Sequence, residues 1–251
     1  MSFEVRRTEA GGSFAIGGET TEWAVVPLAG SGRTDCRGES RSFGGRASVF
    51  DARGDCFYLP AGCRATVHAD TALEVALCGA VAEGGGEPQL VRAANRDVEL
   101  RGAGNASRQI HALIGPSFPA RRLHVIEVWT PGGNWSSYPP HKHDEEGAGE
   151  TVLDETYYFR TRRPEGFALQ RLYSEQHGIE LTTVVRDGDL LRIPFGFHTT
   201  CAGHGYDLYY LNVLAGPQRE RTLDAREDPR FTGIRDGWAD MAIDPRLPLV
   251  T

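Results

Sequence analysis

One pattern occurs twice and narrows what this chain can fold into. Gly54-Asp55-Cys56-Phe57-Tyr58-Leu59-Pro60-Ala61-Gly62-Cys63-Arg64 and Gly188-Asp189-Leu190-Leu191-Arg192-Ile193-Pro194-Phe195-Gly196-Phe197-His198 share the form G-D-x4-P-x-G-x-basic. In each copy Gly-Asp signals a turn, the next four residues suit a strand, and P-x-G signals a second turn. An apolar strand follows in both, Leu73–Cys78 in the first and Leu208–Leu214 in the second. A repeated strand–turn–strand unit points to two related β-barrels, 1–110 and 111–251.

The rest of the chain agrees with an all-β reading. Its 31 glycines and 14 prolines cut it into short runs, many alternating apolar and polar residues. Ala65–His68, Leu123–Trp129, Thr156–Phe159, Phe167–Tyr173, Leu190–Pro194 and Asp207–Val213 are expected strands, and long helical periodicity is weak. The tail from about Gln218 reads as irregular structure rich in Arg, Asp and Pro, with Trp238 as a candidate contact in a homo-oligomer. The chain has 251 residues, enough for two barrels of ordinary size.

Charge and cysteine content exclude some classes of function. A net charge of -7 argues against a general nucleic-acid surface, although an acidic protein can still hold a locally positive pocket for a small anion. No apolar run approaches the ~18 residues of a membrane span. Met1–Gly12 lacks the apolar core of an export signal, so a cytoplasmic location is expected. The five cysteines, Cys36, Cys56, Cys63, Cys78 and Cys201, form no CxxC pair and are expected as reduced, interior thiols.

The chemistry concentrates in the second barrel. In Pro139-Pro140-His141-Lys142-His143-Asp144, strand geometry projects His141 and His143 from one face and Lys142 from the other. A salt bridge or loop anchor is the expected role of Lys142. Glu155 opens an aromatic run, Glu155–Phe159, after the acidic loop Asp144–Glu150, and a hairpin would return it beside the two histidines. His198 follows the second P-x-G turn as a fourth ligand. Three imidazoles and one carboxylate suit one divalent ion, zinc, manganese, iron, cobalt or nickel, without choosing among them. The first copy ends in Arg64, which cannot deprotonate to bind a metal, so the N-terminal barrel is expected to lack one. A carboxylate of the run Asp144–Glu146 would serve as general base only if that loop capped the barrel mouth.

HxH, then Glu, then P-x-G with a following His resembles the cupin metal motif. The His143–Glu155 loop is longer than is usual for cupins, and one residue rather than two separates Gly196 from His198. A closer resemblance lies in Gly133–Asp144 (GNWSSYPPHKHD), Gly166–Arg171 and Tyr206–Val213, with Ser48–Asp51 and Tyr58–Gly62 in the N-terminal half. These segments are similar to the 5-deoxy-glucuronate isomerases of myo-inositol catabolism, which are related to the hexuronate isomerases of pectin breakdown.

The resemblance implies a bicupin of two jelly-roll barrels with few short helices. It also implies interconversion of the aldose acid 5-deoxy-glucuronate with the ketose acid 2-deoxy-5-keto-gluconate. In that reading the small anionic sugar acid meets a metal that polarises its carbonyl. Arg171 is the expected partner of the substrate carboxylate, with Gln170, which faces the other way, as the fallback. Tyr157 and Tyr210 are the candidate catalytic hydroxyls. A metal-dependent cupin dioxygenase and a non-catalytic sugar-binding cupin are the alternatives.

Overall fold

The computed structural model describes residues 1–147, 149–218 and 221–251. Among them, nineteen strands carry the architecture, and helix is confined to two 3-10 segments, Ala93–Asn95 and Pro229–Asp240. The chain is all-β, and the six expected strands form with their ends displaced by a few residues at most: Cys63–Ala69, Leu123–Thr130, Asp154–Thr161, Phe167–Ser174, Leu190–Ile193 and Leu208–Ala215. No helix among the described residues is long and apolar enough to cross a membrane.

Two compact units are present: residues 1–97, 112–125 and 250–251 form the first, and 98–111 and 126–249 the second. The chain passes between them inside the strands Arg108–Ile114 and Leu123–Thr130, so the boundary at 110/111 falls within a strand and not in a linker.

The first unit rests on an eight-stranded sheet system through which the long strand Thr21–Cys36 runs, pairing in turn with Cys56–Leu59, Cys63–Ala69 and Leu73–Val81. Inward residues alternate along these strands, and Ile16, Val25, Phe43, Phe57, Leu59, Val67, Leu73 and Val75 pack into one apolar cluster. Each fully buried aliphatic or aromatic side chain of this kind contributes about 1.5–3 kcal/mol.

In the second unit, Asp154–Thr161 lies between Leu190–Ile193 and Leu208–Ala215 in one sheet, and Phe197–Ala202 lies between Phe167–Ser174 and Trp135–Lys142 in another. The tail adds the short strand Arg226–Glu227 to Trp135–Lys142 before the 3-10 segment, so it is partly ordered rather than wholly irregular.

The repeat appears as the same local structure twice. A strand follows each Gly-Asp, and another follows each P-x-G, whose glycines, Gly62 and Gly196, have φ of 84° and 89°. A side chain is strained at such φ, which is why the turn keeps glycine. The copies differ in what they turn inward: Cys63 enters the first core while Arg64 is exposed, whereas Phe197 is half-buried and His198 fully buried. All five cysteines are free, and all but Cys201 are buried.

Candidate metal centre

Three of the four expected ligands converge. The ligand atoms of His143, Glu155 and His198 lie within 4.8 Å of one another, and all three residues are buried. Glu155 Oε2 is 2.8 Å from His143 Nε2 and 3.0 Å from His198 Nε2. His141 stands beside this trio, its ring centroid 4.6 Å from that of His198 and 6.4 Å from that of His143.

The ladder explains the placement. His141 is paired with His198, and the register between their strands slips between Ser136 and His141. Pro139 and Pro140 fall in that gap, where a missing backbone N–H breaks no pair. Glu155 is held from both sides, opposite Ile193 and Leu214.

The backbone sets the tautomers. Nδ1 of His141, His143 and His198 faces the carbonyl oxygens of Pro139 (3.2 Å), Leu153 (3.0 Å) and Gly196 (3.3 Å). A carbonyl only accepts, so each Nδ1 carries a proton and Nε2 is the atom through which each neutral ring can ligate; with no ion between them, His143 Nε2 donates to the Glu155 carboxylate when that ring is protonated. This is how metal-binding histidines are oriented by their outer neighbours. His198 Nε2 is buried and makes no hydrogen bond of good geometry, although Glu155 Oε2 lies 3.0 Å away, so its lone pair is available to an ion between them. The donor set and this poorly bonded nitrogen fit a divalent ion held by nitrogen and oxygen.

Electrostatics point the same way. Burial opposes ionisation of Glu155, but the facing His143 and His198 outweigh it and hold its carboxyl well below the usual range. Burial likewise opposes protonation of His143, and Glu155 overrides it, raising that pKa. Part of the His141 surface reaches solvent, yet the protein packed around its ring, together with His198, pushes its pKa down to about 3.

Two phenols stand next to the centre. The Tyr157 ring is 5.9 Å from that of His198 and stacks on Tyr210 at 4.5 Å. Tyr157 shares a hydrogen bond with Ser137 Oγ (2.8 Å), and Tyr210 with Ser136 Oγ (2.7 Å) and Ser137 Oγ (3.3 Å). Burial raises both phenol pKa values, and Glu155 adds to the rise at Tyr157.

The strand Phe167–Ser174 corrects one expectation. Leu172 pairs with His198 and Gln170 with Thr200, so Gln170 shares the face of His198, and Arg171, opposite Thr199, points the other way. Arg171 is instead bound through Nε and Nη2 to Glu180 and lies over the Tyr173 ring. The fallback residue is the inward one: Gln170 is buried, its Oε1 accepts from Thr200, and its Nε2 has no hydrogen-bond partner. Asn212, which sequence reasoning missed, pairs with Tyr157 across the ladder and has a buried Oδ1 without a partner.

Lys142 faces away from the imidazoles and anchors the acidic loop. Its Nζ is 2.5 Å from Asp144 Oδ1, 2.9 Å from Glu150 Oε1 and 3.3 Å from Glu145 Oε2. Asp144 also accepts from Gly196 N–H, and Glu150 from the N–H groups of Asp144 and Glu145. Asp144 and Glu150 are thus committed to holding the loop against the turn before His198, and no general-base role follows for them. Lys142→Met should cost about 3 kcal/mol, because it strands two largely buried carboxylates. Urea unfolding checks this, and a loss under ~1 kcal/mol would contradict the anchoring role.

The KduI/IolB family model matches residues 1–234. A 5-deoxy-glucuronate isomerase of Geobacillus thermodenitrificans is 46% identical over 173 residues, 68% of this chain but 62% of that protein. A protein of the same name from Halalkalibacterium halodurans is 36% identical over 223 residues, 87% of this chain and 83% of the relative. Among solved structures, an IolB-like protein from Salmonella typhimurium superposes with a TM-score of 0.89 at 35% identity, covering 93% of this chain and 89% of that one. Oxalate decarboxylase of Bacillus subtilis, a bicupin, matches with a TM-score of 0.64 at 13% identity over 96% of this chain and 78% of its own, which shows a shared fold. With a bicupin fold, a family match over most of its length and relatives at this level of identity, the chain belongs to the KduI/IolB family.

Proposed function

We propose that this chain is a metal-dependent aldose–ketose isomerase that interconverts 5-deoxy-glucuronate and 2-deoxy-5-keto-gluconate. The observation that carries the proposal is the convergence of His143, Glu155 and His198 in a buried interior beside two protonated phenols. The isomerase names of the relatives support the choice of substrate. His141 joins the three as the fourth ligand, its Nδ1 already turned to Pro139 and its ring against His198. A divalent ion held there would polarise the substrate carbonyl as a Lewis acid.

The chain's own groups then handle the proton. With pKa values raised by burial, Tyr157 and Tyr210 keep their protons at neutral pH and act as donors to a developing oxyanion rather than as bases. Ser137, bonded to both, gives them a common hydroxyl through which a proton can be exchanged. Gln170 offers an unused N–H to a substrate hydroxyl.

Proton NMR of the metal-loaded protein with 5-deoxy-glucuronate in deuterium oxide tests the reading. The expected result is conversion to the ketose acid without oxygen uptake. Deuterium at the migrating position marks proton exchange with solvent through an enediol, whereas its absence fits both a hydride shift and a proton transfer shielded from solvent. No turnover after metal reconstitution would overturn the isomerase assignment, and oxygen consumption would favour a dioxygenase.

A further inference from the structure

Among the described residues, the second unit buries a guanidinium that no carboxylate hydrogen-bonds. Arg108 opens the strand Arg108–Ile114 and is 5% exposed. Its Nη1 donates to the carbonyl oxygens of Ala106 (3.1 Å) and Tyr138 (3.3 Å). Among the described residues, Nη1 is the atom of this side chain that makes hydrogen bonds, and the charged groups in reach are Glu99, itself bound through both oxygens to Arg101, and the like charges of Arg101 and Arg235, with the neutral phenols of Tyr210 and Tyr157 alongside. Burial lowers its pKa to about 10, so the group stays cationic at neutral pH. A desolvated cation without a hydrogen-bonded counter-ion is costly, and proteins keep one mainly where an anion completes it.

Its position suggests which anion. Tyr138 follows Ser137, whose Oγ is bonded to both Tyr157 and Tyr210. Tyr157 in turn lies against His198. The order through the interior is therefore ligand cluster, stacked phenols, guanidinium. A uronic acid has a matching order, with a carbonyl at one end of a short polyol and a carboxylate at the other.

We propose that Arg108 holds the substrate carboxylate, with the sugar chain lying along Tyr157 and Tyr210 and its carbonyl end at His143, Glu155 and His198. The two backbone carbonyls fix Nη1, leaving the Nε and Nη2 edge for a bidentate carboxylate. This assignment rests on the isomerase reading above and takes over the role expected of Arg171.

The test compares Arg108→Met and Arg108→Lys with the wild type on two substrates: 5-deoxy-glucuronate, and the same aldose with a hydroxymethyl group in place of the carboxylate. Metal content and near-ultraviolet circular dichroism are measured for each protein. For Arg108→Met the expected KM for the uronate rises about 10- to 100-fold, the range for a lost charge-assisted hydrogen bond, while the neutral aldose changes by less than about twofold. Arg108→Lys should fall between, and it carries the comparison if the Met variant does not fold. An unchanged uronate KM in a folded, metal-loaded variant overturns the proposal, as does an equal loss on both substrates.

Calorimetric titration with D-glucuronate separates this proposal from the isomerase reading. If the wild type turns nothing over, weaker binding by Arg108→Met still supports a carboxylate site at Arg108, and equal binding overturns it.

Discussion

Replacing Glu155 with alanine should empty the metal centre and lower kcat/KM by at least about 100-fold. Mutating even the outer partners of metal ligands typically costs ~10–100-fold in metal affinity or activity, and Glu155 is itself a proposed ligand. It is the carboxylate of the converging trio, and both facing imidazoles approach the same oxygen. His141→Ala should likewise lose metal and activity. Arg64→Ala, at the corresponding place in the first repeat, should leave both within about twofold, since Arg64 is exposed on the outside of its unit. Elemental analysis of the purified variants, with turnover measured on the same samples, checks all three. A Glu155→Ala protein that kept full metal occupancy would show that the trio is not where the ion binds.

What could be read from the chain follows strand parity, because parity is a local property. His141 and His143 on one side with Lys142 on the other needed only the alternation of a strand, and Lys142 is an anchor for that reason. Gln170 against Arg171 was a harder choice. Their opposite facing was legible, but which of them looks inward depends on the pairing of Leu172 with His198, a register that no short stretch of sequence states. Arg108 gave no signal at all. It stands among ordinary residues, and its meaning comes only from burial without a hydrogen-bonded carboxylate and from a carbonyl thirty positions away at Tyr138. The inward turn of Cys63, where the second copy turns in His198, was also hidden, because a shared pattern fixes the turn and not the face of the next strand.

Removing the ion should lower the melting temperature by about 8–16 °C. A ligand present at 1,000 times its dissociation constant stabilises the native state by ~4 kcal/mol, and a chain of this size shifts ~2–4 °C per kcal/mol. The size of the drop should depend on pH, with a sign set by the same residues. In the stripped protein the His143 pKa is raised above its ordinary 6.5, so its contribution to stability is complete below that value and is lost as pH rises through the folded pKa. The Glu155 pKa is lowered from its ordinary 4.5, so its contribution is complete above that value and is lost as pH falls through the folded pKa. The pair therefore supports the stripped protein best between pH 4.5 and 6.5 and less at higher pH. Metal binding runs the other way, since each imidazole must be neutral to ligate, and protons compete more weakly as pH rises. Both effects widen the gap between loaded and stripped protein from about pH 6 to about pH 8. Differential scanning calorimetry before and after chelation, at both pH values, measures it. A gap that narrowed with rising pH, or that was absent once chelation had demonstrably removed the ion, would mean that His143 and Glu155 are not the groups exchanging protons for metal.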